Sequence, residues 1–599
     1  MDRKAWIVVT LCLLGMGING WWMMTHQPPP KAPVPVAAAP AKTPVDTAAQ
    51  PGTTTPPKAD PAAPEAVAVP EQKVELNNSL VTYTFTTKGG GIATARLLDT
   101  KDNIILNAPG KAAVGAISGA AKAWDDLNYK IVEQDTKRVV FEAETPEHLV
   151  YRKEYSFSEG QGSDPHLLNY NLTITNKSAA KITKDSLYIY TGAAMELRPD
   201  EIVKPGFCWN DAGDAASKDT SYFGAGWFSG EVTELRMEFQ RVRWAGVMSR
   251  FYTMLISTKE DQPGKIWAMP FPVDHNSDEF KDNSRAAQDK AIHGGVSLPA
   301  LDLDVNATKS FALRVYMGPK VYQVLSGIDD VEPDRQQRYV MFYGWFTFVS
   351  KRLVWLMRVF HDWFGNWGTA IILLTLTVRT ILWPVQARAN STMKRMGMLS
   401  PKLKELQAKH KDEPQKQQAE MMKLYREYGV NPLGGCLPMF VQIPVFFGFY
   451  RVLQYAAELR GQSFLWVPDL SLPDTITHIA GYPLNPLPLV MVLTNFLQMK
   501  FTPQPQSTDN TQRRLMMFMP LIFLFICYNF ASALALYWTT QNIFSIFQAQ
   551  VQLRFQKDPV LTKVAPAGSA ASSASGSKKK DKPGPPRLGG GGTKSTRND

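Results

Sequence analysis

Residues 367–387 read WGTAIILLTLTVRTILWPVQA, an apolar stretch that contains a single basic residue, Arg379, about two-thirds of the way along. A run of ~20 apolar residues is long enough to cross the hydrocarbon core of a bilayer. A charge inside such a span costs at least ~2.5–3.5 kcal/mol on insertion scales. Because no predicted span of this chain contains an Asp or Glu, Arg379 needs another polar environment within the membrane.

Further apolar stretches predict six membrane spans. Besides 367–387 they are 5–24, 436–456 and 486–500, followed by 515–531 and 533–550, which form a hairpin. The loop 388–432 contains ten Lys and Arg residues, whereas the loop 457–485 contains only Arg460. The positive-inside rule therefore places the first loop and both termini in the cytoplasm. Residues 1–26 are predicted to be an uncleaved anchor; a cleavable signal peptide is the alternative.

Uncharged polar residues on these spans could solvate Arg379. They are Thr375 and Thr377 on the same span, Gln442 on the third, Asn495 and Gln498 on the fourth, and Gln541 and Asn542 on the sixth. Thr375 lies one helical turn before Arg379, so the two side chains share a face. The pattern predicts a hydrated groove, open toward the cytoplasmic leaflet, whose cation attracts acidic residues of another chain. Alternatively, Arg379 extends to the lipid headgroups or caps backbone carbonyls.

Between the first and second spans the composition changes twice. Residues 27–72 are rich in Ala and Pro and are expected to form an extended linker. Residues 73–335 are predicted to form an all-β sandwich outside the cytoplasm, because apolar residues alternate with polar ones in strand-length segments. The clearest are Val81, Tyr83 and Phe85, and then Leu168, Tyr170, Leu172 and Ile174.

Residues 339–366 predict an amphipathic helix that lies on the membrane surface. Its apolar face contains Val349, Leu353, Leu356 and Phe360, and its tryptophans suit an interface. Packing of this helix against the β-domain is the alternative.

The loop 388–432 is predicted to be a helical hairpin. Ser400 could cap one helix that has Pro401 at its first position, and a second helix could run from Pro414 to Gly429. Four methionines of the hairpin could contact varied hydrophobic segments or could simply pack the two helices together. They are Met396, Met398, Met421 and Met422.

The tail 551–599 has the composition of a disordered basic segment. Four lysines in it could contact ribosomal RNA or anionic lipid, or could serve only solubility. They are Lys578, Lys579, Lys580 and Lys582. The net charge of +11 fits such anionic partners, and no DNA partner is expected.

Several function classes find no support in the sequence. Cys208 is the one cysteine outside the apolar spans, so neither a disulfide framework nor a metal site is expected. No HExxH, GxSxG or Walker motif occurs, and neither catalytic residues nor a cofactor is predicted. A secondary transporter is an alternative function, as is a membrane scaffold. A transporter would usually show an inverted repeat and an intramembrane carboxylate, and neither is visible.

One segment has a specific resemblance. Asn431-Pro432-Leu433-Gly434-Gly435-Cys436-Leu437-Pro438, followed by Gln442-Ile443-Pro444, resembles the third-span signature of the YidC membrane protein insertases. Similarity also extends over Leu374 to Arg379, Glu458-Leu459-Arg460, Asp469-Leu470-Ser471, Met519-Pro520 and Leu536-Tyr537-Trp538 with Asn542, and it spans 339–551. Weaker similarity to the periplasmic domain of Gram-negative members lies at Gly89-Gly90-Gly91, from Trp244 to Tyr252, and at Tyr316 to Pro319. The turn at Ala531-Ser532-Ala533 departs from the family pattern.

The resemblance implies a polytopic inner-membrane protein with a β-supersandwich in the periplasm and a five-helix insertase core over 367–550. It implies that Arg379 is the arginine of the groove and that Thr375 and Tyr537 contact substrate. It also implies partners: nascent integral membrane proteins, inserted alone or beside the Sec translocon, and membrane lipids.

Overall fold

The computed structural model describes residues 70–98, 104–122, 124, 127–160, 162–196, 203–211, 215–225, 230–273, 290–331, 337–343, 346–410, 413–431, 437–479, 482–502, 510–555 and 563. The predicted N-terminal anchor, most of the linker and the four lysines of the tail lie outside these residues. The described residues divide into two compact units. The first, called the β-unit, lies within Met1–Thr347, Arg451–Ser463 and Pro468–Ser471. The second, the helical unit, lies within Phe348–Tyr450, Phe464–Val467 and Leu472–Asp599.

Antiparallel sheets build the β-unit. Its strands are β1 (Lys73–Asn77), β2 (Val81–Thr86), β3 (Gly91–Leu97), β4 (Ile105–Leu106), β5 (Ile117–Ser118), β6 (Lys130–Gln134), β7 (Arg138–Glu144), β8 (Leu149–Phe157), β9 (Leu167–Asn176), β10 (Ile182–Lys184), β11 (Leu187–Ala194), β12 (Gly206–Asn210), β13 (Ala215–Asp219), β14 (Gly224–Ala225), β15 (Glu231–Val232), β16 (Leu235–Met248), β17 (Tyr252–Pro272), β18 (Lys290–Leu298), β19 (Leu301–Leu303) and β20 (Thr308–Pro319). The first four strands pair in sequence order as one sheet. A twelve-stranded sheet has the order β13-β12-β16-β17-β20-β9-β8-β7-β6, and β18, β11 and β5 pair in turn beside β17. The pairs β10–β19 and β14–β15 stand apart.

The predicted alternation places side chains on two faces of these strands, as expected. Val81, Tyr83 and Phe85 on β2 are buried, and so are the four alternating apolar residues of β9. The ring centroid of Phe85 lies 5.1 Å from that of Tyr155 on β8, so the four-stranded sheet and the large sheet share one hydrophobic core. The β-rich architecture predicted for this region is therefore confirmed.

A buried lysine, Lys153, connects two turns of the β-unit through hydrogen bonds. The Nζ of Lys153 donates hydrogen bonds to the carbonyl oxygens of Gly89, at 2.7 Å, and Gly115, at 2.9 Å. It also lies 4.5 Å from the ring centroid of Tyr129. Gly90 has a φ of +52°, and a Cβ at this position would come within 2.7 Å of the same ring. Glycine at position 90 therefore leaves room for the Tyr129 ring that packs beside Lys153.

His293 on β18 is a second buried titratable group. Aromatic rings surround it: Trp124, Tyr190, Trp267 and Phe271. Burial lowers the pKa of His293 to about 4, and the positive charge of Lys111 acts in the same direction. His293 is therefore neutral at neutral pH.

Acidification should lower the free energy of unfolding of the β-unit. The unfolded chain protonates this histidine near pH 6.5, whereas the folded chain does so only at about 4, so the unfolded state binds more protons between these values. Stability should fall as the pH falls, by about 3 kcal/mol at pH 4. Thermal unfolding between pH 7 and pH 4, followed by tryptophan fluorescence, measures this loss. A His293→Phe variant should lack this part of the pH dependence, and an identical profile in that variant would refute the assignment.

Helices make up the rest of the described chain. They are α1 (Tyr322–Val331), α2 (Thr347–Phe364), α3 (Trp367–Lys409), α4 (Pro414–Glu427), α5 (Leu437–Tyr455), α6 (Pro486–Phe501), α7 (Asn510–Cys527) and α8 (Ser532–Phe555). Short 3-10 helices form at Thr220–Tyr222, Gln337–Met341 and Ala457–Leu459. Two more strands, β21 (Thr477–Ile479) and β22 (Tyr482–Leu484), form a hairpin in the helical unit. The helix α1 follows the last strand of the β-unit and was not predicted.

Two predicted helix starts differ from the structure. Residues 337–341 form a separate 3-10 helix, so α2 begins at Thr347 rather than at residue 339. The predicted helix start at Ser400 is wrong, because α3 continues through Ser400 and Pro401 to Lys409. A proline removes one backbone hydrogen bond, and a long helix supported on both sides can tolerate this loss. Pro414 does occupy the first turn of α4, as predicted, and Gly429 follows that helix with a φ of +59°.

The amphipathic helix α2 buries one face within the helical unit. Leu353, Val354 and Met357 are buried, and the Ser350 Oγ donates a hydrogen bond to the carbonyl oxygen of Gly448 on α5, at 3.3 Å. Aromatic residues remain exposed on α2 and at its end: Phe348, Trp355, Trp363 and Phe364. The buried face thus packs on a helix, while the exposed face has the composition of an interfacial segment.

Among the described residues, one helix, α3, is long and apolar enough to cross a membrane. The predicted spans from 436 to 550 coincide with helices, but α6 has only 16 residues. The first predicted span lies outside the described residues. The count of six spans therefore stays a prediction.

Candidate functional site

A polar cluster links α5 and α8 inside the helical unit. The Nε2 of Gln442 donates hydrogen bonds to the Tyr537 Oη, at 3.1 Å, and to the Gln541 Oε1, at 3.3 Å. Tyr537 and Gln541 are four residues apart on α8, so their side chains lie on one face. All three residues were predicted from the sequence to be near Arg379 or the substrate, and the structure brings them together.

The ring of Tyr537 is packed within this cluster. Its ring stacks on that of Phe449 with 4.2 Å between the centroids and 20° between the planes. Arg379 of α3 lies close enough to interact electrostatically with Tyr537. Three helices therefore contribute polar groups to one place: α3 through Arg379, α5 through Gln442, and α8 through Tyr537 and Gln541.

The charge of Arg379 has no carboxylate partner in the part of the chain that the structure describes; neither an ion pair nor a hydrogen bond of its side chain occurs there. Its side chain is half-buried. Thr375 is fully buried, and its hydroxyl donates to the Ile371 carbonyl oxygen of the same helix, at 2.7 Å. The hydroxyl of Thr375 is thus satisfied within α3.

Three other predicted groove residues lie elsewhere. The Nδ2 of Asn542 bonds to the Met491 carbonyl oxygen and to the Thr494 Oγ1 on α6, both at 3.2 Å, so it joins α8 to α6. Asn495 and Gln498 on α6 are half-buried, and their side chains form no hydrogen bond with described residues. The structure does not connect them to the cluster around Arg379.

A second polar group lies further along α3 and α8 and was missed. The Nδ2 of Asn390 donates to the Gln552 Oε1, at 2.8 Å, and the Gln386 Nε2 donates to the Asn390 Oδ1, at 3.0 Å. Gln548 is buried nearby in sequence on α8. The signal was available, since polar residues recur at helical intervals of three, four or seven residues along both helices: Thr375, Arg379, Gln386 and Asn390 on α3, and Tyr537, Gln541, Ser545, Gln548 and Gln552 on α8.

The structure separates the four methionines of the helical hairpin. Met396 and Met421 pack against the hairpin core of Leu399, Leu403, Tyr428 and Val430. Met398 and Met422 are each 43% exposed. Met396 and Met421 thus pack the two helices together, whereas contact of Met398 and Met422 with hydrophobic segments stays a prediction.

Comparison with known proteins covers both units. A family model described as "YidC periplasmic domain" matches residues 73–356, and one described as "60Kd inner membrane protein" matches residues 359–558. Together they account for the chain from 73 to 558 almost without a gap. The first match covers the strands of the β-unit, and the second includes Arg379, Gln442 and Tyr537.

Curated relatives agree with these matches. "Membrane protein insertase YidC" of Syntrophobacter fumaroxidans is 42% identical over 41% of this chain and 44% of the relative. The protein of the same name from Syntrophus aciditrophicus is 28% identical over 92% of this chain and 98% of the relative. In several of these alignments the chain spans about half the length of the curated relative. A crystal structure titled "Active YidC insertase", with its first transmembrane domain resolved, aligns with 81% of this chain and 92% of that chain at 18% identity and a TM-score of 0.33.

Proposed function

Because this chain belongs to the YidC family of membrane protein insertases, we propose that it inserts newly made integral membrane proteins into the inner membrane of a Gram-negative cell and helps them fold. The observation that carries the proposal is the polar cluster of Gln442, Tyr537 and Gln541 beside Arg379. Polar and charged groups are costly inside a bilayer, so those that occur there usually serve a function. It offers a charge and several hydrogen-bonding groups to a polar chain that must pass the apolar core.

The proposed groove works through electrostatics and hydration. The positive charge of Arg379 attracts acidic residues in the segment of a substrate that crosses the membrane. Gln442 and Gln541 can each donate and accept hydrogen bonds, so they can replace part of the water that the peptide backbone loses. The groove thereby lowers the barrier for the polar segment, while the hydrophobic segment leaves into lipid. Catalytic residues and a cofactor have no place in this mechanism.

The proposed topology assigns each region to a side of the membrane. Six spans place both termini in the cytoplasm and the β-unit in the periplasm, and 27–72 joins the first span, within 1–26, to the β-unit. Within 339–366, the exposed aromatic residues of α2 suit the outer interface. Five spans within 367–550 form the insertase core, the hairpin 388–432 is cytoplasmic, and the tail is 551–599.

The proposed partners follow from these locations. Met398 and Met422 give the cytoplasmic hairpin an adaptable apolar surface for incoming hydrophobic segments. The lysines at 578–580 and 582 give the tail a charge suited to the ribosome or to anionic lipid. Cooperation with the Sec translocon fits the same function.

Photocrosslinking tests the proposed function. A photoreactive amino acid at Gln442 or Gln541 should crosslink to a ribosome-stalled nascent chain with one hydrophobic span, because both side chains are half-buried members of the cluster. Thr375 and Tyr537 are less suitable positions, since both are buried. The matched control is Leu493 on α6, which is 60% exposed on an apolar surface.

Crosslinks from both glutamines that exceed the control and disappear after release of the chain would support a transient insertion groove. Crosslinks no stronger than those from Leu493 would refute it. Solute uptake by the purified protein in vesicles would then favour a transporter, and its absence a scaffold.

A further inference from the structure

The turn between β16 and β17 contains a buried arginine with distant partners. Arg250 is 4% exposed. Its Nε donates a hydrogen bond to the carbonyl oxygen of Gln454, and its Nη2 donates one to the carbonyl oxygen of Ser471, both at 3.0 Å. Gln454 lies in the last turn of α5, and Ser471 lies in the segment that follows α5. All three residues belong to the β-unit.

The two acceptors suit a cation. The last carbonyl groups of a helix have no partner within the helix, and the end of the helix carries a partial negative charge. At Gln454 the Arg250 guanidinium donates a hydrogen bond to one of these carbonyl groups and places a positive charge beside the negative end of the helix. Ser471 is presented by a tight turn, in which the Asp469 Oδ1 accepts hydrogen bonds from the backbone N–H of Ser471, at 2.8 Å, and from its hydroxyl, at 2.7 Å. Charged donors make stronger hydrogen bonds than neutral ones, so this pair of contacts is worth more than two ordinary ones.

Further cations surround the same place. The Arg250 guanidinium lies 4.5 Å from the ring centroid of Phe251, and the Arg460 guanidinium lies 5.4 Å from that of Tyr252. Lys320, which follows β20, is buried with its Nζ 5.1 Å from the ring centroid of Tyr455. The strand ends of the β-unit and the chain from the end of α5 to Ser471 are thus packed through arginine, lysine and aromatic side chains.

We infer that Arg250 is a positioning residue that clamps the last turn of α5 and the following segment, 456–471, to the strands of the β-unit. Gln454, Ser471 and Arg250 all lie within the β-unit, so the clamp is a contact inside this unit. It does not depend on the proposed function of the groove.

Hydrogen exchange of the full chain in lipid nanodiscs tests the clamp. In Arg250→Ala, peptides that cover 456–471 should exchange about tenfold faster, because the backbone hydrogen bonds there, such as Leu470 N–H to the Gln462 carbonyl, open more often. Peptides from β9 should be unchanged. The matched control is Arg236→Ala, since Arg236 is an exposed arginine of β16. Unchanged exchange over 456–471 in Arg250→Ala would overturn the inference.

If Arg250→Ala unfolds the β-unit, a conservative variant tests the clamp in its place. Arg250→Lys keeps the charge but cannot reach both carbonyl oxygens with a planar fork. Faster exchange confined to 456–471 in this variant supports the clamp, and unchanged exchange overturns it.

Discussion

Replacing Arg379 with alanine should reduce insertion of a substrate with acidic residues in its translocated segment by about tenfold or more. Tenfold corresponds to about 1.4 kcal/mol, which is modest for the attraction of two opposite charges a few Å apart in a protein environment. A substrate of equal length and hydrophobicity without acidic residues should lose much less. The measurement is the rate of membrane integration in vesicles that contain the purified variant.

Two control variants show whether the loss of insertion in Arg379→Ala is due to its charge. Arg379→Lys keeps the positive charge and should retain most of the preference for acidic substrates. Asn542→Ala removes a polar residue whose side chain bonds α6, so its effect should be the same for both substrates. Equal loss of the acidic and the neutral substrate in Arg379→Ala would show that Arg379 serves folding or hydration and does not attract charge.

Replacing Lys153 with alanine should destabilise the β-unit by about 2–5 kcal/mol, because a buried side chain is truncated and buried acceptors lose their donor. The variant leaves the carbonyl oxygens of Gly89 and Gly115 without this donor and opens a cavity beside Tyr129. The measurement is the temperature at which a protease begins to cut within 73–319 in the full chain.

Lys153→Met separates the two causes of this loss. Methionine fills most of the space but donates no hydrogen bond, so this variant should recover only the cavity part of the stability. Lys137→Ala provides an exposed control, since the ion pair of Lys137 with Glu159 lies on the surface and should contribute little. If the protease begins to cut Lys153→Ala and Lys137→Ala at the same temperature, the role assigned to Lys153 is wrong.

The sequence predicted well those features that follow from a local period. The alternation in β9 determines which side chains are buried, because neighbouring side chains of a strand point to opposite faces. Arg379 stood out for a similar reason, since a charge in an apolar run requires an explanation whatever surrounds it. Local capping rules failed at Ser400, where packing keeps α3 intact through Pro401. The start of a helix depends on its neighbours as well as on its own residues.

The partners of side chains were harder to predict. Gln541 and Asn542 are adjacent in sequence, yet one faces Gln442 on α5 and the other bonds α6. A helix turns by 100° between neighbours, so the direction of each side chain is known only when the surrounding helices are placed. The contacts of Arg250 could not be inferred at all, because they join segments more than 200 residues apart.

The unbroken course of α3 has a mechanical consequence. Its 43 residues give a rod of ~65 Å at 1.5 Å per residue, about twice the ~30 Å of a bilayer's hydrocarbon core. Arg379 lies in its first half, and the buried leucines of the helical hairpin lie in its second. In a helix of this length, a tilt of a few degrees about one end displaces the other end by several Å. A tilt of α3 at the hairpin therefore also moves Arg379.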